Sequence, residues 1–240
     1  MVLILSSWSG TVSAFSESTD YSINSDYQVL SDNSNWNKLS IVSESEYKLN
    51  DFSGIIHSPF GDFDPLKDVM PLGPENLYDP SALSRTGLVV VQSNSVDMTD
   101  LIDLIDSYGY PIIDTIPDSA LIVRLPIEDI SASKSQLEKS PSVRWIEGLP
   151  IAWRVSPSLI DFSGRGGLSL DLDLTISSDL ENNELSQLES DMSRISDNSI
   201  TRNICDIHLC QIKGIDATWL PVLAMDGRIL SIHESSIIST

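Results

Sequence analysis

Apolar and polar positions alternate most regularly in residues 87–157, and this stretch predicts a complete small domain. Residues 88–91 form a short β-branched run that is typical of a buried strand. Apolar residues from Leu101 to Tyr108 then recur at helical spacing, behind Thr99 and Asp100 as candidate caps. Gly109 is placed to end this helix, because glycine adopts the left-handed conformation found there.

The rest of this stretch completes the element order β-α-β-β-α-β. A turn at residues 117–118 separates two strands, and a weaker helix precedes the last strand: residues 112–116, 121–125, 133–139 and 143–146. This is the ferredoxin-like split βαβ order of an α+β domain. It predicts a four-stranded antiparallel sheet with two helices on one face and the other face open.

The same order of elements recurs more weakly behind a glycine-rich linker at residues 158–167. Strand-like and helix-like patterns alternate at residues 168–176, 180–195, 207–212, 217–225 and 228–232. Residues 168–240 therefore predict a second, degenerate ferredoxin-like module. Two such modules could also pack on each other through their sheets.

In the N-terminal part of the chain, apolar residues do not recur with a sustained helical or strand period. Residues 1–14 contain a short apolar run followed by a small-x-small motif, which favours a signal peptide and a secreted protein. The positively charged n-region of an ordinary signal peptide is missing. An ordinary cytosolic N-terminus is the alternative. Residues 15–86 are acidic, rich in Ser, Asn and Pro, and predict an irregular lead-in without a helix or a sheet.

Composition narrows the possible partners. The chain has 240 residues, 41% of them apolar, and 14 basic against 35 acidic residues give a net charge of −21. The net charge argues against nucleic acid and anionic membrane surfaces as partners, because phosphate would be repelled. No apolar run is long enough for a membrane span. The charge favours solubility over a cation-binding role.

The chain has two cysteines, Cys205 and Cys210, and their spacing allows three interpretations. A secreted chain with one close pair favours a disulfide across a turn between two strands. Free thiols are the second interpretation. A metal site with His208 and His233 is the third, although the spacing matches no zinc pattern.

No motif in the chain predicts catalysis, a cofactor or a metal. The three histidines, His57, His208 and His233, have no nucleophile elbow or similar catalytic segment to act with. Asp62 and Asp64 are spaced like calcium ligands but lack the rest of that loop pattern, so a solvated loop is favoured. We therefore predict no catalytic, cofactor-binding or metal residues.

Three tryptophans in the two modules remain to be explained: Trp145, Trp153 and Trp219. Packing in a core or between modules is one interpretation. The other is an aromatic anchor for a partner protein, for which Trp153 is the candidate.

Residues 88–151 resemble the N-terminal prodomain of secreted subtilisin-like serine proteases. The resemblance is carried by the opening strand Leu-Val-Val-Val at 88–91, the helix and stop at 101–109, the hairpin Ile-Pro-Asp-Ser-Ala-Leu-Ile-Val at 116–123, and Ser-Pro-Ser-Val-Arg-Trp-Ile-Glu at 140–147. It covers about 65 residues well, and residues 167–240 match only as a degenerate second copy.

This resemblance implies a folding assistant and inhibitor that binds a serine protease catalytic domain, in cis or in trans. In that family the sheet packs against surface helices of the catalytic domain, and a C-terminal tail lies along the substrate cleft. Residues 231–240 would be this tail, which makes His233 and Glu234 candidate partner contacts beside Trp153. These 240 residues contain no catalytic domain.

Two other hypotheses remain. A secreted pair of ferredoxin-like modules could bind a small ligand or dimerise through sheet edges. The chain could also be an acidic secreted surface protein without a discrete site.

Overall fold

The computed structural model describes residues 52–195, the backbone of Ile204 and Cys205, and residues 208–235. The predicted signal peptide, the lead-in up to residue 51 and the end of the predicted tail, 236–240, lie outside the described residues. The described chain from Gly54 onward belongs to one compact unit.

The described part of the lead-in is folded rather than irregular. Strands β1 (Ile56–Ser58) and β2 (Gly61–Phe63) form an antiparallel hairpin, and helix α1 (Ala82–Thr86) follows. Ile56, Phe63 and Leu77 are buried and hold this segment to the rest of the protein. Strands of three residues are too short to leave a periodic pattern, which is why the sequence did not predict them.

The first sheet contains strands β3 (Leu88–Ser93), β4 (Ile112–Ile116), β5 (Ala120–Arg124) and β6 (Val143–Gly148). All neighbouring strands are antiparallel, and their order across the sheet is β4-β5-β3-β6. Every residue of β3 is buried. A central strand buried on both sides means that both faces of this sheet are covered.

Helices α2 (Thr99–Ser107) and α3 (Ile130–Glu138) cover one face of the first sheet. Leu101, Ile105 and Leu137 pack with Val89 and Val91 in one core cluster. Helix α2 begins at Thr99 with Met98 in the N-cap position and without a side-chain cap, so the predicted caps Thr99 and Asp100 lie inside the helix. The nearest carboxylate before the helix is that of Asp97. It accepts hydrogen bonds from the Thr99 nitrogen at 2.9 Å and from Thr99 Oγ1 at 2.6 Å.

The segment between the sheets is packed rather than flexible. A 3₁₀ turn at Ile151–Arg154 and helix α4 (Pro157–Ile160) follow β6, and Leu159 in the predicted linker has no exposed surface. Arg154 is buried and donates to the carbonyl oxygens of Ala224 (2.5 Å) and Asp226 (2.6 Å). This guanidinium joins the segment to the end of a helix in the second half.

The second sheet contains strands β7 (Ser169–Ile176), β8 (Ile204–Cys205), β9 (Leu209–Asp216) and β10 (Ile229–Glu234). Helices α5 (Asn182–Ile195) and α6 (Leu220–Ala224) lie between the strands in sequence, and Pro221 is in the first turn of α6 as predicted. The strands are antiparallel in the order β10-β7-β9-β8.

In both sheets the first strand in chain order lies between the third and the fourth, and the second strand lies at an edge. The second core holds residues from α5, α6 and the sheet, together with Leu77, Ile151 and Leu159 from outside the second half. The α+β class with antiparallel sheets is therefore confirmed. The core of the second half also extends into the lead-in and the connecting segment.

Candidate functional site

The two faces of the second sheet differ in chemistry. Along β7, Leu172, Leu174 and Ile176 are buried, whereas the alternate residues Asp173 and Thr175 are half-buried. Side chains alternate between faces along a strand, so the apolar set faces the helices and the polar set faces away from them.

Neighbouring strands extend this polar face on both sides of β7. Gln211 of β9 and His233 of β10 both lie directly opposite Asp173, and Ser231 lies opposite Thr175. We call the surface made by Asp173, Thr175, Gln211, Ser231 and His233 the open face. All five residues are partly exposed, which leaves a flat polar surface across three strands.

Hydrogen bonds fix part of the open face. Ser231 Oγ donates to Thr175 Oγ1 at 2.8 Å, and His233 Nε2 lies 3.1 Å from Ser231 Oγ. Burial lowers the pKa of His233, and Asp173 opposes this shift. Asp173 Oδ1 has no hydrogen-bond partner among the described residues. The open face therefore carries an imidazole whose protonated form is disfavoured by burial and, at Asp173, a side-chain oxygen without a described hydrogen-bond partner.

The corresponding face of the first sheet is covered, so the prediction that each sheet has one open face was wrong for this sheet. Phe63 of the lead-in packs edge-to-face on Trp145 and Trp153, with ring centroids 5.9 Å apart in each pair. Arg144 donates to Asp64 at 2.5 Å and to Gln92 at 2.6 Å. The lead-in thus covers this face with an aromatic cluster and a buried ionic network.

Asp64 is not in a solvated loop, as the sequence had suggested, but is only 3% exposed. Its carboxylate accepts from Lys67 at 2.7 Å and from Arg144, and these two cations hold its pKa well below the ordinary value. Arg144 lies far away in sequence, so only the folded chain shows this pair. A buried Arg-carboxylate pair marks the lead-in as part of the folded structure.

Trp153 is in the core and is not an exposed anchor for a partner. It is 2% exposed, and its Nε1 donates to the Pro71 carbonyl at 2.6 Å. Trp219 is 37% exposed and is the more accessible of the two. The core interpretation therefore fits Trp153, whose position against the lead-in was not visible in the sequence.

The other two candidate contacts lie at the end of β10 and not in a separate tail. His233 is on the open face, and Glu234 beside it is exposed. The strand continues to Glu234 and pairs with β7 as far as Leu172, so residues 231–234 belong to the sheet. The Ser235 nitrogen also donates to the Asp171 carbonyl oxygen of β7 at 2.9 Å, so the described chain stays on the sheet through residue 235.

Cys205 and Cys210 lie directly opposite each other in the β8–β9 pair. This register brings the two backbones together, as the predicted disulfide requires. The side chain of Cys205 is outside the described residues. The bond therefore stays a prediction that a thiol count tests.

The described residues contain no group of three His, Cys, Asp or Glu side chains placed to hold a metal ion. None of the described helices is long and apolar enough to cross a membrane.

Comparisons with known proteins assign no family. No family model matches the chain, and the curated proteins contain no match. A crystal structure of the acetolactate synthase small subunit from Thermotoga maritima is similar over 62% of this chain and 92% of that chain, at 14% sequence identity and a TM-score of 0.21. So weak a similarity assigns neither a function nor a partner.

Proposed function

We propose that this chain is the prosegment of a secreted subtilisin-like serine protease, which assists folding of the catalytic domain and inhibits it by binding. The resemblance of residues 88–151 to that family motivates the proposal. The shared strand order of the two sheets supports the further inference that both halves are ferredoxin-like split βαβ modules in tandem.

The observation that carries the proposal is the difference between the two sheets. Among the described residues, the first sheet is covered on both faces, whereas the second has helices on one face and the partly exposed open face on the other. In the prodomain family that residues 88–151 resemble, the catalytic domain packs against a sheet of the prodomain. In this chain the open face is the polar, partly exposed sheet surface on which it could pack.

The end of β10 adds to this argument. Glu234 is exposed and ends the strand one residue after His233, and the Ser235 nitrogen still donates to the Asp171 carbonyl oxygen of β7 at 2.9 Å. A segment that continues from this point starts at the edge of the open face. If a protein docks on the open face, we propose that this segment reaches its cleft, as the resemblance implies for the tail. Secretion is part of this proposal and rests on the signal-like N-terminus.

Inhibition kinetics test the proposed function. The purified chain is mixed with a panel of subtilisin-like proteases, and the progress curves of a chromogenic peptide substrate are recorded. We expect slow, tight inhibition of at least one protease, and faster recovery of activity when that protease is refolded with the chain. Loss of inhibition after heat-unfolding the chain is the control. Neither inhibition nor assisted refolding across the panel contradicts the proposal.

A small-ligand module is the second candidate, and one feature favours it. A groove of about 260 Å³ lies beside edge strand β6, and its lining includes Met70, Leu72, Tyr78, Leu83 and Pro150. This volume is slightly below the range of about 300–1,000 Å³ that is usual for ligand pockets. A rise in melting temperature with an apolar compound, lost in Leu83→Arg, would favour this function.

A further inference from the structure

His57 links the lead-in to the first sheet through two carboxylates. Its Nδ1 lies 2.8 Å from Asp62 Oδ1, and its Nε2 lies 2.9 Å from Asp118 Oδ2. Asp62 is directly opposite His57 in the β1–β2 hairpin, whereas Asp118 lies in the turn between β4 and β5. One imidazole therefore connects two parts of the protein that are 61 residues apart.

The turn that carries Asp118 belongs to the sheet and not to the hairpin. Asp118 and Ser119 adopt φ values of 63° and 73°, which few residues other than glycine adopt. The carbonyl oxygen of Ser119 accepts from the Ser93 nitrogen of β3 at 2.8 Å. The carboxylate of Asp118 is thus held on the sheet, so opening of the hairpin must break its contact with His57.

The protonation state of His57 decides how many of these contacts hold. An imidazolium donates from both nitrogens, so it satisfies Asp62 and Asp118 at the same time. A neutral imidazole has one N–H, and its other nitrogen then faces a carboxylate as acceptor against acceptor. Among the described residues, Asp62 from β2 and Asp118 from the turn are the titratable groups that act on this ring.

We propose that His57, Asp62 and Asp118 form a pH-sensitive clasp that fastens the β1–β2 hairpin over the second face of the first sheet. The clasp is closed when His57 is protonated and loosens when the ring loses its proton. Loosening favours opening of the hairpin that carries Ile56 and Phe63, both buried in the closed state. This inference concerns the lead-in and does not depend on the proposed partner.

The direction of the effect follows from the two carboxylates. The hydrogen bond to Asp62 is the largest cause that raises the pKa of His57 above its ordinary value, and the hydrogen bond to Asp118 is the next largest. The contribution to stability is therefore fully present below about pH 6.5 and is lost as the pH rises through the folded-state pKa. The His57 side chain is 44% exposed, so salt will weaken the clasp.

Amide hydrogen exchange tests the clasp in the full chain. Exchange of residues 56–63, corrected for intrinsic rates, is compared between about pH 5.5 and about pH 8.5. We expect faster opening at the higher pH in the wild type, by about tenfold for each unit that separates the closed and open pKa values of His57. In His57→Gln, whose side chain does not titrate, the corrected rate should not change with pH.

Two further variants make the outcome decisive. Asp118→Asn should lower the pKa of His57 measured by NMR and should reduce the pH response, because one carboxylate is lost. His233→Gln, which removes a histidine from the second sheet, should leave the response of the hairpin intact. An equal pH response in the wild type and His57→Gln, or a His57 pKa unchanged by Asp118→Asn, would overturn the proposal.

Discussion

Among single residues, Trp153 is a buried side chain that contacts the lead-in directly. It is 2% exposed, contacts Phe63 edge-to-face and donates to the Pro71 carbonyl. Its position after β6 makes it a link between the module and the segment that covers it. Its role is therefore structural.

Truncation of this side chain should destabilise the protein strongly. We expect Trp153→Ala to lower the free energy of unfolding by about 3–5 kcal/mol, because a large buried ring leaves a cavity. Trp219→Ala is the matched control and should have a much smaller effect, since Trp219 is 37% exposed. Urea denaturation at pH 7 measures both. Similar losses for the two variants would show that Trp153 is not a core residue.

Asp64 leads to a prediction for acid pH. Lys67 and Arg144 hold its pKa below the value in an unfolded chain. Its contribution to stability is therefore present above about pH 4 and is lost as the pH falls through the folded-state pKa. Asp64→Asn should lower the melting temperature at pH 7, and the difference from the wild type should shrink as the pH decreases below about 4.

The exposed Asp103 on α2 offers the control for this experiment, because Asp103→Asn removes the same charge without breaking a buried pair. Its melting temperature should follow the wild type closely across the pH range. If Asp64→Asn behaves like Asp103→Asn at pH 7, the ion pair with Arg144 does not stabilise the fold.

At the level of helices and strands, the sequence predicted the elements with long periodic patterns and missed those without them. Strand β4 was predicted with its observed bounds, and α5 and β7 within two residues. The hairpin β1–β2 was missed, because its strands have three residues each. Its place is set by contacts such as Asp64 with Arg144, which are remote in sequence.

The candidate site likewise has features that the sequence predicted and features that it missed. Residues 168–176 were predicted as a strand, and in β7 the apolar residues of this stretch are buried while the polar residues are more exposed. The pattern could not show that the equivalent face of the first sheet is covered by the lead-in. That requires knowledge of which segments meet in space, as for Phe63 and Trp145.

The β8–β9 hairpin carries the disulfide prediction. Cys205 and Cys210 are paired in register, and closing so short a loop would contribute about 2 kcal/mol. In the unreduced, denatured protein we expect no thiol that reacts with a chromogenic reagent, and two after reduction. Two reactive thiols before reduction would exclude the bond. Reduction should lower the melting temperature slightly, since the loop is small.

In the part of the molecule that the structure describes, α2 and α3 cover one face of the first sheet and the lead-in covers the other, whereas the open face of the second sheet stays partly exposed. A net charge of −21 keeps such chains apart by repulsion, which favours binding to a different protein over self-association. The central claim is therefore that a subtilisin-like catalytic domain docks on the open face.

Substitution of one glutamine on each side of the second sheet tests this claim most directly. Gln211 lies on the open face in β9, and Gln187 is exposed on α5, which covers the opposite face. Gln211→Arg and Gln187→Arg make the same chemical change, and their melting temperatures are compared first to show that both fold.

The measurement is the inhibition constant of each variant against a protease that the wild-type chain inhibits. We predict that Gln211→Arg weakens inhibition by about tenfold or more, because a bulky charge enters the centre of the interface, whereas Gln187→Arg inhibits like the wild type. Equal inhibition by the two variants, or a loss confined to Gln187→Arg, would contradict docking on the open face.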